Sequence, residues 1–188
     1  LAIQSGEGIV MSWATHPSAK VAARKSPNRT AGQARKSAPR IDREGLEQKV
    51  LIRWLYAQQQ NGMQVGQLLH GVTFHVPNGG QRNKKTAADL KMQGVRAGVS
   101  DLVVAKARGG YHGLYIEFKA APPHDAALAK SQREWLEKME GNGYLAVLAK
   151  GVDEAKAVLV AYASWPETVV AGEPEVMPHG SEWRKATA

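Results

Sequence analysis

The sequence GVRAGVSDLVVAKARGGYHGLYIEFK, residues 94–119, predicts a β-hairpin that places ionisable side chains together. Residues 102–105 are a β-rich run, residues 114–119 alternate apolar and polar side chains, and the intervening glycines supply the turn. In an antiparallel pair, Asp101 at the start of the first strand lies opposite the end of the second, so it can share a cation with Glu117. Because side chains alternate along a strand, Lys119 shares the face of Glu117. Two carboxylates beside a lysine are typical of metal-assisted hydrolysis, which indicates phosphodiester chemistry.

These segments resemble a known family. GVSDL, RGGYHGLYIEFK and SQREWL, together with H-x-P-N-G-G-x-R-N at residues 75–83, are similar to the VRR-NUC (virus-type replication-repair nuclease) domain of the PD-(D/E)XK superfamily. The likeness covers residues 44–162. The sequence departs from the family at Ser100, where proline usually precedes the aspartate. Since that proline binds no metal, we expect activity to be retained.

The resemblance implies a role for each residue of the hairpin motif. Asp101 and Glu117 are expected to bind Mg²⁺ or Mn²⁺, hard cations that prefer oxygen ligands, and the backbone carbonyl of Phe118 is a further expected ligand. Lys119 is expected to orient water and offset charge that develops on the phosphate. Gln132 matches the glutamine that follows this motif in the family, which implies that it reaches the site. A buried hydrogen-bonding glutamine is the alternative.

Residues 42–60 predict the first helix, with Asp42 as its N-cap. Glu47 falls in the middle of the apolar stripe of this helix, where a carboxylate costs free energy unless it is paired or bound to a cation. An internal ion pair is one interpretation, and the resemblance implies the other, a metal ligand. Glu44 is expected to be exposed in the first turn, where it favours the helix dipole. The stripe consists of Leu46, Val50, Leu51, Trp54 and Leu55.

A turn rich in glycine and basic residues follows a strand predicted over residues 68–76. Backbone amides in such a turn, next to basic side chains, can hold a phosphate. An ordinary turn is the alternative, and His75 at the end of the strand is either a general base or structural. The predicted nucleic-acid-binding residues are Asn78, Gly79, Gly80, Arg82, Asn83, Lys84 and Lys85.

The remaining elements complete an α/β pattern. We predict helices over residues 83–93 and 127–140, a strand buried on both faces over residues 144–149, and a final helix that begins with Asp153 as its cap and ends near Tyr162. The order α-β-α-β-β-α-β-α fits a mixed β-sheet flanked by helices. The resemblance implies the same architecture, the restriction-endonuclease-like core.

Charge is concentrated at the N-terminus. Of the 25 Lys and Arg residues, seven lie in residues 1–40 beside a single acidic residue, Glu7, whereas the rest of the chain is close to neutral. A disordered basic arm over residues 1–41 is therefore predicted, either contacting a polyanion such as DNA or acting as a solvated tail. The nuclease-like domain is predicted over residues 42–165 and a tail over residues 166–188.

Composition excludes several classes of protein. The chain contains no cysteine, which excludes disulfides and thiolate zinc sites, and no apolar run approaches the roughly 20 residues of a membrane span. The N-terminus lacks the charged and apolar regions of a secretory signal. We expect a cytoplasmic protein in a bacterium or a phage-infected host cell. Whether the residues before Met11 belong to the natural protein stays open.

The sequence and the resemblance together predict a Mg²⁺- or Mn²⁺-dependent DNA endonuclease. The resemblance further implies a homodimer that acts on branched DNA such as four-way (Holliday) junctions in DNA repair, with no small-molecule cofactor and no membrane partner. Three alternatives stay open: an inactive DNA-binding module, a nuclease without structure preference, and a purely structural hairpin.

Overall fold

The computed structural model describes residues 41–77, 84–172 and 179. The predicted basic arm, except for Ile41, and the predicted phosphate-binding residues 78–83 therefore lie outside the described residues. Within the described ranges, no helix has both the length and the apolar character that a membrane span requires.

A four-stranded mixed sheet in the order β1-β2-β3-β4 forms the centre of the fold. Strands β1 (Thr73–His75), β2 (Leu102–Val104) and β3 (Leu114–Lys119) are antiparallel neighbours, and β4 (Leu145–Lys150) runs parallel to β3. The hairpin predicted from the sequence is confirmed: β2 pairs with β3 from Leu102 opposite Ile116 to Val104 opposite Leu114. The parallel β3–β4 pair needs a crossover, and helix α4 provides it.

Helices flank this sheet. They are α1 (Arg43–Gln60), α2 (Gln64–Leu69), α3 (Lys84–Met92), α4 (Lys130–Glu140) and α5 (Val152–Ser164), with one 3₁₀ turn at His70–Val72. Apolar side chains of α1, α2 and α5 pack on one face of the sheet, where Leu55, Phe118, Leu159 and Tyr162 are fully buried. On the other face, Tyr115 of β3 contacts Trp135 of α4 edge to face. The predicted mixed sheet flanked by helices is confirmed, and it is the restriction-endonuclease-like α/β core.

The strand predicted over residues 68–76 is wrong in its first half. Val65, Leu68 and Leu69 recur at the i, i+3, i+4 spacing of a helix, and in the structure Val65 and Leu69 are buried on α2. Only residues 73–75 are extended, and the Thr73 hydroxyl donates a hydrogen bond to the Leu69 carbonyl at 2.7 Å. Residues 68–72 therefore complete the helical layer, and β1 is a short edge strand.

Burial differs from the prediction on α1 and β4. Leu46 and Val50 are 53% and 49% exposed, so the buried stripe of α1 is shifted toward Leu51 and Leu55, which have no exposed surface. Strand β4 lies at the edge of the sheet rather than at its centre, and Leu148 is exposed there. The predicted burial of this strand on both faces is therefore wrong.

Two helix starts also differ from the prediction. Gly151 precedes α5 as its N-cap, so Asp153 lies inside the first turn, where its carboxylate pairs with Lys156. Helix α4 starts at Lys130 rather than near residue 127, because the Gln132 side chain accepts a hydrogen bond from the Ala129 N–H at 2.9 Å and fixes the first turn there.

The loop between β2 and β3 is joined to the segment that follows α5. The Arg108 guanidinium is buried and donates to the Trp165 carbonyl, and the Gly109 N–H donates to the Pro166 carbonyl at 2.8 Å. The hydroxyl of Tyr162 donates to the Lys106 carbonyl at 2.6 Å. Residues 165–168 are thus held against the hairpin by hydrogen bonds from the Arg108 side chain and between main-chain groups.

Candidate active site

The β2–β3 register brings the carboxyl groups of Asp101 and Glu117 together. Leu102 pairs with Ile116, so the preceding residue on β2 and the following residue on β3 are neighbours at the end of the ladder. The Phe118 N–H donates to Asp101 Oδ2 at 3.0 Å, which fixes the Asp101 carboxylate beside β3. The role of the Phe118 carbonyl as a ligand stays a prediction.

Lys119 and Gln132 both bind the Glu117 carboxylate. The Lys119 ammonium donates to Glu117 Oε1 at 2.6 Å, and the Gln132 side-chain amide donates to the same oxygen. Lys119 is buried together with Glu117. Gln132 reaches Glu117 because it lies in the first turn of α4, whose N-terminal end lies over β3. The structure thus gathers Asp101, Glu117, Lys119 and Gln132 into one cluster.

The pKa of Glu117 is shifted by its surroundings in this cluster. Burial raises the pKa of Glu117 to about 7, and the neighbouring Asp101 carboxylate adds to the increase, whereas the hydrogen bond and charge of Lys119 lower the pKa. Its second oxygen, Oε2, is buried and accepts no hydrogen bond from the residues that the structure describes. A buried carboxylate oxygen without a donor is costly, and a cation at that oxygen would satisfy it. The donor set of the cluster therefore fits a hard divalent cation.

Glu44 faces the cluster, contrary to the expectation that it is exposed. It is half-buried, and its Oε2 lies 3.9 Å from the Lys119 ammonium. Burial raises the pKa of Glu44, the charge of Lys119 opposes that increase, and the charges of Asp101 and Asp42 add to it. One signal for this position is present in the sequence: Glu44 and Gln48 lie four residues apart, so they share a face of α1.

The carboxylate of Glu47 lies at the start of the loop after β3. It accepts a hydrogen bond from the Ala121 N–H, at 3.1 Å for Oε2 and 3.3 Å for Oε1. Within the described ranges, no group of three or more acidic or histidine side chains is arranged to hold a metal ion. The part of Glu47 as a metal ligand stays a prediction.

His75 supports the main chain at Asp101. The Nδ1 atom of His75 lies 2.8 Å from the Asp101 carbonyl oxygen and 2.9 Å from Gln48 Nε2. A protonated Nδ1 donates to that carbonyl, which ties β1 to the residue that precedes β2. In this tautomer Nδ1 has no lone pair for the Gln48 amide, which then only lies beside the ring. This contact favours a positioning role for His75 over that of a general base, and sequence reasoning did not identify Gln48.

A cleft of about 810 Å³ opens between α1 and β1 beside the cluster. We call it the α1 cleft. A second cavity of about 740 Å³ shares Asp42 and Glu44 with the α1 cleft and is also lined by Ala120 and His124. The α1 cleft is lined by Asp42, Glu44, Gly45, Gln48, Lys49, Ile52, Arg53, His75, Pro77 and Asp101.

Gly98 allows the segment before Asp101 to approach α4. It has a φ of +82°, and a Cβ there would lie 2.2 Å from the Ser131 carbonyl oxygen. Gly94 has a similar φ of +94°, yet a Cβ there would meet no atom within 4 Å. We expect Gly94→Ala to cost about 1–2 kcal/mol from the left-handed backbone alone, and Gly98→Ala to cost substantially more and to lower cleavage. Urea unfolding of both variants measures this difference, and equal losses of stability would contradict the close packing at Gly98.

The described residues include only a small part of the loop predicted to bind phosphate. Asn78, Gly79, Gly80, Arg82 and Asn83 lie outside the described residues. Lys84 and Lys85 begin α3, but their side chains are also outside the description. Their nucleic-acid contacts stay predictions.

Comparisons with known proteins identify the family of this chain. The family model of the VRR-NUC domain matches residues 42–153, which include Glu44, Asp101, Glu117, Lys119 and Gln132. A solved structure titled "VRR_NUC domain protein" is 32% identical, with a TM-score of 0.56 over 68% of this chain and 93% of that one. No curated protein matches the chain. The family match spans more than half of the sequence and contains the whole carboxylate–lysine cluster, and the chain is therefore a member of the VRR-NUC domain family of nucleases.

Proposed function

We propose that this protein is a metal-dependent DNA endonuclease that hydrolyses phosphodiester bonds. The observation that carries the proposal is the buried Glu117 carboxylate, which has one oxygen without a donor and lies beside Asp101 and Lys119. Such a perturbed carboxylate in contact with a lysine indicates a functional site rather than an exposed cross-strand ion pair. Membership of a nuclease family supports DNA as the substrate.

Asp101 and Glu117 would hold Mg²⁺ or Mn²⁺, with the Phe118 carbonyl as a further ligand. The bound ion would polarise the scissile phosphate and lower the pKa of a water molecule toward neutrality. Lys119, a compact buried cation, would orient the attacking water and offset negative charge on the phosphate. Gln132 would hold Glu117 in place, because its amide donates to the oxygen that also accepts from Lys119.

The third carboxylate of the proposed metal site comes from α1. Glu47 is the residue that the family resemblance implies, whereas Glu44 is the residue that lies 3.9 Å from Lys119 and whose pKa is raised further by the charge of Asp101. A divalent ion at a concentration of about a hundred times its Kd should raise the free energy of unfolding of the wild-type protein by about 2.7 kcal/mol. We expect Glu44→Gln to lose at least half of this stabilisation at the same Mn²⁺ concentration, and Glu47→Gln to retain it.

Thermal and chemical unfolding with and without Mn²⁺ measures this difference independently of activity. Each variant is compared with its own EDTA reference, so that a change in metal-free stability does not enter the result. The reverse outcome, in which only Glu47→Gln loses the stabilisation, would establish Glu47 as the third ligand.

The proposal extends to branched DNA, with four-way junctions as the preferred substrate, and to a homodimer in the cytoplasm of a bacterium or phage-infected cell. Family resemblance supports these finer points. A dimer would place two active sites so that two strands are cut symmetrically.

A cleavage assay tests the proposal. Purified full-length protein is incubated with four-way junction, flap, single-stranded and linear duplex DNA in EDTA, Mg²⁺ or Mn²⁺. Metal-dependent cutting of the junction above the other substrates is expected. Equal cutting of every substrate would retain the chemistry and remove the junction preference. Binding without cutting in either metal would identify an inactive DNA-binding module.

A further inference from the structure

The α1 cleft carries positive charge along the wall that leads away from the carboxylates. Glu44 and Asp101 line one part of this cleft. Lys49 and Arg53, which follow Glu44 on α1, line another part. Lys49 and Arg53 are four residues apart, so they lie on one side of the helix, separated by about 6 Å along its axis. The cleft therefore joins the proposed catalytic carboxylates to a basic surface.

Both cations are exposed and available to a ligand. Neither Lys49 nor Arg53 forms an ion pair with any residue in the described ranges. Other lysines of the domain do have carboxylate partners, for example Lys106 with Glu167 at 2.8 Å and Lys150 with Asp125 at 2.7 Å. Two cations without a carboxylate partner, next to a cluster of acidic groups, suit a ligand that carries several negative charges along its length.

The α1 cleft adjoins the second cavity at Glu44. Asp42 and Glu44 line both the α1 cleft and the second cavity, whose lining also includes Ala120, Pro123 and His124. An extended chain lying in the α1 cleft would therefore reach the second cavity at Glu44. A DNA strand is such a chain, with a phosphate at each nucleotide.

We propose that Lys49 and Arg53 bind backbone phosphates of the DNA strand on one side of the scissile bond, so that the strand runs along α1 through the α1 cleft. Arg53 has a planar guanidinium that can bind a phosphate through two hydrogen bonds, and Lys49 contributes a point charge. These contacts recognise the sugar-phosphate backbone and carry no base information. The inference rests on the proposed nuclease function and adds the path of the substrate to it.

The salt dependence of DNA binding tests the path. A fluorescein-labelled four-way junction is titrated with full-length protein in EDTA, which prevents metal-dependent cutting, at several salt concentrations. For the double variant Lys49→Ala/Arg53→Ala, loss of two phosphate contacts should reduce the slope of log K against log [salt] by about 1.8 and weaken binding at least about tenfold at low salt. The charge-preserving variant Lys49→Arg/Arg53→Lys should retain most of the slope.

Lys106→Ala is the matched control, because Lys106 follows β2 at the end opposite Asp101. Its slope should equal that of the wild type. A double variant with the slope of this control, in a protein that cleaves DNA, would overturn the path and leave the nuclease function intact. A wild-type protein that neither binds nor cleaves DNA would overturn the function and the path together.

Discussion

Replacing Lys119 with alanine is expected to lower metal-dependent cleavage by at least about 10²- to 10³-fold, the usual effect of removing one preorganised charge that stabilises a transition state. A second effect adds to the first. Lys119 lowers the pKa of Glu117 through a hydrogen bond and its charge, so in its absence Glu117 holds its proton more tightly and binds a cation less well. Single-turnover cleavage at saturating protein measures the loss separately from DNA affinity.

Glu117→Ala is expected to reduce cleavage below detection, because it removes a proposed ligand and leaves Lys119 without its nearest carboxylate. DNA binding should change little in either variant. Lys150→Ala is the matched control, since Lys150 lies directly opposite Lys119 on β4 yet pairs with Asp125 instead. Cleavage that survives in both Glu117→Ala and Lys119→Ala, at the rate of this control, would show that the cluster is not the catalytic site.

The metal-free protein is expected to lose stability as the pH rises from about 4.5 to about 7. The pKa of Glu117 is about 7 in the folded protein and near its ordinary value of 4.5 in the unfolded chain. Between these values the folded state keeps a proton that the unfolded state has released. The contribution of Glu117 to the free energy of unfolding is therefore fully present below pH 4.5 and is lost as the pH approaches 7. Its size is on the order of 3 kcal/mol.

Urea unfolding in EDTA at several pH values measures this effect. The informative quantity is the difference between the wild type and Glu117→Gln, because the variant lacks the titrating group while other groups, including Glu44, titrate in both proteins. The wild-type curve should fall relative to the variant between pH 4.5 and 7. Parallel curves over this range would mean that the pKa of Glu117 does not differ between the folded and unfolded protein.

The hairpin and its motif were predictable because they depend on local rules. Alternation of side chains over residues 114–119 and glycine in the preceding turn determine the β2–β3 pair, and this pair brings Asp101 next to Glu117. The first helix was predictable for the same reason, since Asp42 caps it and accepts a hydrogen bond from the Gly45 N–H at 2.9 Å.

Errors arose where tertiary packing decides between local alternatives. Leu68 and Leu69 fit the start of the predicted strand or the end of a buried helix, and packing of α2 against α1 and α5 selects the helix. The orientation of α1 also cannot be read from its own stripe. The first turn of α1 places Glu44 near Lys119, where it is half-buried, and leaves Leu46 exposed. Two residues that are close together in the sequence therefore have the opposite burial to the one their side chains suggest.

The hydrogen bonds between the β2–β3 loop and residues 165–168 have a consequence for the smallest stable form of the domain. The family match ends at residue 153, at the first turn of α5. A polypeptide trimmed to that boundary would lack Leu159 and Tyr162, which are fully buried, and would leave the Arg108 guanidinium without the Trp165 carbonyl. Helix α5 and the residues up to Thr168 therefore complete the apolar core. The segment needed for stable folding is longer than residues 42–153, which the family model matches.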